Sequence, residues 1–170
     1  MSRIPIIILR FIVLIFIQVF LLKNVGYYNL SVPFIYILFI LLLPFKTPNI
    51  LLFALAFATG ITVDAFYDTL GLHALACTVL AFSRILFISI TVPSDQLDSE
   101  PEPSMSKMGL RWFLIYGFIL TFIHHLTLFT FEIFRLSDFG QTLLRSLLST
   151  FFSLFLILIT EFIFYRKKMR

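Results

Sequence analysis

Charged residues are scarce in this chain. Only 13% of its 170 residues are Asp, Glu, Lys or Arg, whereas 60% are hydrophobic. A soluble domain carries about 25% charged residues and at most about half apolar ones. So many apolar side chains do not fit inside a water-soluble core of this size. We therefore predict a single integral membrane domain over residues 1–170, with the lipid bilayer as its solvent.

Several chemical signatures are also missing. Cys77 is the single cysteine, so an intrachain disulfide is excluded. The sequence has no Gly-rich phosphate loop, no nucleophile motif with a neighbouring base, and no His/Cys spacing typical of zinc sites. Its basic residues are scattered between hydrophobic runs and form no patch interleaved with aromatics, which argues against nucleic-acid binding. We expect no enzyme activity, no cofactor and no bound metal.

Long apolar runs dominate what is present. About 20 apolar residues cross a hydrocarbon core of roughly 30 Å, and this length rule predicts an all-α, polytopic membrane protein with six transmembrane helices. The second is expected to cross fully or to be a tilted or partly inserted helix, because Pro33 lies in its first turn and Pro44 and Pro48 end it early. The predicted spans are 4–22, 30–45, 50–67, 70–92, 110–134 and 143–165.

The distribution of Lys and Arg predicts the orientation, because basic flanks resist translocation. The side that holds both termini has most of the basic residues, so both termini are expected to be cytoplasmic. Residues 93–107, rich in Pro, Ser, Asp and Glu, are predicted to be a flexible cytoplasmic loop. They form either a solvated connector or an acidic docking segment for a basic partner. The basic residues on the cytoplasmic side are Arg3, Arg10, Lys46, Arg84, Lys107, Arg111 and those of the tail 165–170, against Lys23, Arg135 and Arg145.

A few ionisable residues lie inside the apolar runs, where a charge costs about 2.5–3.5 kcal/mol. Arg10 and Arg84 either snorkel to the membrane surface or pair with Glu161, which would hold the terminal helices together. His124 and His125 are expected to be neutral and to hydrogen-bond across helices, with a proton-coupled role as the alternative.

The stretch 58–76, ATGITVDAFYDTLGLHALA, predicts a tight helical hairpin. Gly60 lets a neighbouring backbone approach closely, and Gly71 supplies the positive φ of a sharp reversal. Asp68 and Thr69 are placed to cap or flank the N-terminus of the next helix. Asp64 lies deeper and either hydrogen-bonds the turn or His73, or lines a partner or ligand site. We regard Gly60, Asp64, Asp68, Gly71 and His73 as candidate partner-binding or fold-specifying residues.

The segment GITVDAFYDTLGLHALACTVLAF, residues 60–82, resembles the characteristic segment of the rod shape-determining protein MreD family, with a Gly, an Asp four residues later, and LGLHAL opening the next span. Arg10 and Gln18 on the first span resemble that family as well. The resemblance implies a fold similar to the S components of energy-coupling-factor vitamin transporters. It implies no catalytic residue.

The function that this resemblance implies is a non-enzymatic scaffold of the bacterial inner membrane that serves peptidoglycan synthesis and cell-shape maintenance. Such a protein binds the single-span protein MreC and through it connects MreB filaments with RodA and a class B penicillin-binding transpeptidase. The alternative is an S-component-like subunit that binds or transports a small molecule near Asp64, Asp68 and His73.

Overall fold

The computed structural model describes residues 4–25, 31–99, 102–133 and 139–163, and these residues form an all-helical protein. Arg3, Arg135 and the basic tail 165–170 lie outside the described residues. The elements are α1 (Ile4–Phe16), which continues as a π-helical turn (Ile17–Leu22), α2 (Ile37–Leu41), α3 (Asn49–Tyr67), α4 (Leu72–Thr91), α5 (Ser94–Ser99), α6 (Met105–Met108), α7 (Leu110–Ile133) and α8 (Phe139–Ile163).

Five helical stretches in the described part of the chain are long and apolar enough to cross a membrane, with mean hydropathy from 1.6 to 2.8. Their outward faces carry large apolar side chains, such as Ile50 and Ile90, that are more than 80% exposed. Such exposure is expected where the surrounding solvent is lipid. The chain is therefore a multi-pass membrane protein. The five stretches are Ile4–Leu22, Asn49–Tyr67, Leu72–Thr91, Leu110–Ile133 and Phe139–Ile163.

The long helices pack in chain order. Helix α3 packs against α4, α4 against α7, and α7 against α8, whereas α1 contacts α2 directly and reaches α3 through its π-helical turn. The predicted spans match these helices within a few residues. The largest difference is at the last one, which begins at Phe139, four residues before the predicted start.

The second predicted span differs from the structure. Only Ile37–Leu41 within 30–45 is α-helical, and Leu30 lies outside the described residues. We call residues 31–43 the interior segment, because Phe34 to Leu43 are at most 5% exposed and lie among the long helices. Pro33 and Pro44 confine the helix to a short central piece. Irregular backbone at membrane depth is tolerated only where it is buried in protein or lines a water-filled cavity.

Residues 93–107 also differ from the predicted flexible loop. The described part contains α5 and α6, and Ser104 and Met105 are buried. The backbone N–H of Met105 donates to Glu161 of α8, and Glu102 pairs with Arg10 of α1. A composition rich in Pro and acidic residues predicted a solvated connector, but these two contacts attach its second half to the bundle.

Candidate functional site

The α3–α4 hairpin is closed by direct backbone contact at Gly60. A Cβ atom added there would lie 2.3 Å from Ala74 Cα and 2.5 Å from Ala74 N, far inside the ordinary contact distance of about 3.5–4.0 Å. Only glycine permits this approach. Close backbone contact at small residues is the usual way in which helices pack tightly in membranes.

Asp64 joins the two helices of the hairpin through hydrogen bonds. Its Oδ1 accepts from the backbone N–H of His73 at 3.0 Å, and its Oδ2 accepts from that of Ala74 at 2.9 Å. The hydroxyl of Thr69 also donates to Oδ1. The carboxylate therefore satisfies free N–H groups in the first turn of α4, where the helix dipole favours a negative charge. This geometry matches the first of the two predicted roles, a bond to the turn and to His73.

The reversal between α3 and α4 uses two residues with positive φ. Asp68, at φ 56°, ends α3, and Gly71, at φ 85°, precedes α4. Of the two predicted positions of Asp68, capping or flanking α4, the structure contradicts the cap, because Asp68 is exposed and the carboxylate that reaches the first turn of α4 is that of Asp64. Asp68 flanks α4 from the end of α3. Asp64 is one helical turn earlier in α3, which brings its side chain level with the start of the next helix.

The side chain of His73 lies inside the bundle. Its ring packs against Phe34 and Tyr36 of the interior segment and against Tyr67, at centroid distances of 5.2, 5.9 and 5.3 Å. Its Nδ1 is 3.9 Å from Asp64 Oδ1, too far for a hydrogen bond. Neither ring nitrogen has a hydrogen-bond partner among the described residues.

The first half of the interior segment is held by polar side chains of α8. Ser149 accepts a hydrogen bond from the N–H of Val32 at 2.9 Å, and Ser153 accepts one from the N–H of Phe34 at 2.8 Å. Alternate residues of an extended backbone point their N–H groups to the same side, so two serines four apart on one helix face serve both.

Gln18 in the π-helical turn holds the opposite edge of the same backbone. Its amide donates to the carbonyl of Pro33 at 3.2 Å and accepts from the N–H of Ile35 at 2.8 Å. The amide also donates to the hydroxyl of Tyr67 at 2.8 Å, which connects α1 with α3. Gln18 is fully buried. Its hydrogen bonds satisfy backbone groups of the interior segment, which find no water in the bilayer core.

The second half of the interior segment ends at three consecutive carbonyl groups that bind side chains of three helices. Tyr116 of α7 donates to Leu41 O at 2.8 Å, Arg10 of α1 donates to Leu42 O at 3.2 Å, and Arg84 of α4 donates to Leu43 O. Arg84 also donates to the Tyr116 hydroxyl at 3.1 Å. Cations at the C-terminal end of a short helix complement its free carbonyls.

The predicted pairing of Glu161 with Arg10 or Arg84 is not formed in this structure. Glu161 accepts from the N–H of Met105 at 2.9 Å, and Arg10 lies 3.4 Å from Glu102. The terminal helices are therefore joined through the segment that contains Glu102 and Met105. Snorkelling does not describe Arg84 either, since it is 2% exposed and binds groups inside the protein.

His124 and His125 hydrogen-bond across helices, as expected. The Nε2 atom of His124 is 2.8 Å from the hydroxyl of Tyr36 in the interior segment. His125 Nδ1 lies 2.8 Å from the carbonyl of Thr121, and its Nε2 lies 3.2 Å from the hydroxyl of Ser153 on α8. In the described ranges, no group of three or more His, Cys, Asp and Glu residues is placed to hold a metal ion.

Sequence reasoning missed Tyr36, Tyr116, Ser149 and Ser153 as part of this site. The two serines belong to a run of small hydroxyl residues on one face of α8, and this spacing of three to four residues was the available signal. The full run is Thr142, Ser146, Ser149, Thr150 and Ser153, and all five are buried. No sequence signal identified the two tyrosines, because aromatic residues are common along the whole chain.

Comparison of the chain with protein families, with curated proteins and with solved structures finds no significant match.

Proposed function

We propose that this chain is a scaffold of the bacterial inner membrane similar to MreD, with a structural rather than a chemical role in peptidoglycan synthesis and cell shape. The strongest support comes from the structural roles of the residues that resemble the MreD family. Gly60 and Asp64 fix the α3–α4 hairpin, while Arg10 and Gln18 bind the interior segment. Each of these residues holds the bundle in one arrangement, which is what a docking platform needs.

In this proposal the interior segment is the second of six crossings. Its first half contacts Gln18, in the π-helical turn after α1, and His124 of α7, whereas its second half contacts Arg10 of α1 and Tyr116 of α7. Arg10 precedes Gln18 by eight residues and Tyr116 precedes His124 by eight, which is about 12 Å of helix in each case. A chain that passes antiparallel to α1 over this depth restores an even number of crossings. Both termini then lie in the cytoplasm, in a fold similar to the S components.

The proposed direct partner is an MreC-like single-span protein, whose helix binds the lipid-facing surface of the bundle. Through it the chain is linked indirectly to MreB, RodA and a class B penicillin-binding transpeptidase. Association of helices inside lipid depends on van der Waals fit and a few polar contacts. A fixed bundle presents such a surface at a smaller entropic cost than a mobile one.

The alternative of a solute-binding or transport subunit has less structural support. Such a subunit needs a pocket between its helices, and side chains of the interior segment occupy that space here. Tyr36, Ile37 and Ile40 are fully buried, and the backbone on either side of them is bound by polar residues from the surrounding helices.

The test is replacement of the gene in its bacterial host. Asp64→Asn removes one carboxylate oxygen from the first turn of α4, whereas Asp68→Asn changes an exposed residue that keeps its positive φ, since Asn tolerates that region. We expect rounded cells with Asp64→Asn, and rods with Asp68→Asn at equal protein level. Rods in both cases, together with loss of uptake of a small solute in Asp64→Asn, would favour the transport alternative instead.

A further inference from the structure

A groove lies between α7 and α8 on the outward surface of the bundle, and we call it the α7–α8 groove. Its volume is about 360 Å³. Gly117 contributes no side chain beside it, and a Cβ there would lie 3.0 Å from Cδ1 of Leu154. Ile115 and Ile119 are 47% and 39% exposed, so the groove opens to the surrounding lipid. The lining residues are all apolar and are Leu114, Ile115, Phe118 and Ile119 of α7 and Leu154 of α8.

Arg111 is aligned with this groove. With 3.6 residues per turn, the four lining residues of α7 share one helix face, and position 111 falls at the middle of that face. Arg111 is the second residue of α7 and is exposed. Side chains of a helix lean toward its N-terminus, so the guanidinium extends away from the groove to the membrane boundary. The lining residues of α7 follow three to eight positions later, about 4.5–12 Å deeper in the membrane.

The guanidinium of Arg111 has no carboxylate partner among the described residues. The ion pairs that they form with one another are those of Arg10, His73 and Arg145. A guanidinium is always charged, and its planar set of N–H donors suits the oxygens of a phosphate. The donor and acceptor roles are fixed in such a contact, because arginine only donates and a phosphodiester oxygen only accepts.

We propose that the α7–α8 groove and Arg111 bind one anionic phospholipid, with an acyl chain in the groove and the headgroup phosphate on Arg111. Charge complementarity selects this occupant, since a zwitterionic headgroup carries its own cation beside the phosphate and gains less from the arginine. One basic residue at a membrane surface favours an anionic lipid by about 1 kcal/mol, or about fivefold. This inference does not depend on the proposed scaffold function.

The chain contains its own reporter for this site. Trp112 is the single tryptophan and follows Arg111 in the first turn of α7. Ile115 and Ile119 come three and seven residues later, on the same side of the helix. Bromine on an acyl chain quenches tryptophan fluorescence only at short range, so a brominated chain in the groove should lower the emission of Trp112.

The experiment uses the full-length protein in phosphatidylcholine vesicles. An increasing fraction of the lipid is replaced by phosphatidylglycerol or phosphatidylcholine that is brominated in the upper part of its acyl chains. We expect an apparent affinity about fivefold higher for the anionic lipid, and a smaller preference at high salt. Equal quenching by the two brominated lipids would overturn the proposal.

Two charge variants separate this site from the overall positive charge of the protein. Arg111→Met should abolish the preference for the anionic lipid. Lys46→Met makes the same change in charge at an exposed residue in the loop before α3, and it should leave the preference in place. An equal loss in both variants would assign the preference to overall charge and would contradict the proposal.

Variants that fill the groove test the contact with the acyl chain. Ile115→Phe with Ile119→Phe places larger rings at two exposed positions of α7 and should reduce the preference. The control Ile50→Phe, at an 87% exposed residue of α3, should not change it. An unchanged preference with the filled groove would show that the headgroup binds alone, and quenching by neither lipid would show that a protein helix, such as that of a second copy, covers this face. Either result would overturn the proposal.

Discussion

Replacement of Gly60 by alanine should separate the two helices of the hairpin. The added Cβ would lie 2.3 Å from Ala74 Cα, so the backbones must move apart by about 1 Å to reach an ordinary contact. The hydrogen bonds from the N–H groups of His73 and Ala74 to Asp64, at 3.0 and 2.9 Å, would then stretch beyond useful length. Both consequences arise from one methyl group.

The expected magnitude follows from these two effects. Overpacking costs about 1–3 kcal/mol, and loss of hydrogen bonds to a carboxylate costs about 1.5–3 kcal/mol more. A total of about 2.5–6 kcal/mol corresponds to a fall in melting temperature of about 5–24 °C at 2–4 °C per kcal/mol. The assay is thermal unfolding of the purified protein in detergent, followed by the fraction that remains monodisperse after heating.

Two other glycines provide matched controls. A Cβ on Gly140 would meet no atom of the described residues within 4 Å, and one on Gly117 would lie 3.0 Å from Cδ1 of Leu154, the end of a side chain. We therefore expect Gly140→Ala to be neutral or stabilising by up to about 1 kcal/mol and Gly117→Ala to lie between it and Gly60→Ala. Equal stability of all three variants would refute the close backbone contact.

Three further predictions concern the polar contacts. Asp64→Asn should destabilise the protein by about 1–3 kcal/mol because it weakens the cap of α4, while Asp68→Asn should change stability by less than about 0.5 kcal/mol; chemical unfolding in mixed micelles compares them. Arg84→Met should cost about 1–3 kcal/mol because the buried carbonyl of Leu43 and the hydroxyl of Tyr116 lose their donor, whereas the same change at the exposed Arg111 should be nearly silent in that assay. Glu161→Gln should cost less than about 1 kcal/mol, since the amide oxygen still accepts from the N–H of α6, and Glu161→Ala should cost about 1–3 kcal/mol; equal losses would point to an ion pair instead.

The spacing of nearby residues was sufficient to predict the α3–α4 hairpin from the sequence. Gly60 and Asp64 are four residues apart and share a helix face, and Gly71 follows at the distance at which a reversal has to occur. The thickness of the bilayer sets the length of a helix that crosses it, which is why four of the predicted spans agree with α3, α4, α7 and α8 within a few residues.

Non-local contacts could not be predicted from the sequence. The N–H groups of Val32 and Phe34 bind serines more than 115 residues away, and nothing near them in sequence shows that a proline-flanked apolar run becomes an interior segment. The pairing of Glu161 was wrong for a related reason. The prediction paired Glu161 only with charged groups inside the spans, whereas the partner of Glu161 is the backbone N–H of Met105.

We propose that this bundle serves as a docking platform for a single-span partner. Coexpression with an MreC-like protein, followed by affinity purification in mild detergent and determination of the molar ratio, tests this proposal. We expect a stable complex of fixed stoichiometry that persists with Asp68→Asn and is lost with Gly60→Leu. Purification of this chain alone, with the partner quantitatively in the unbound fraction, would contradict it.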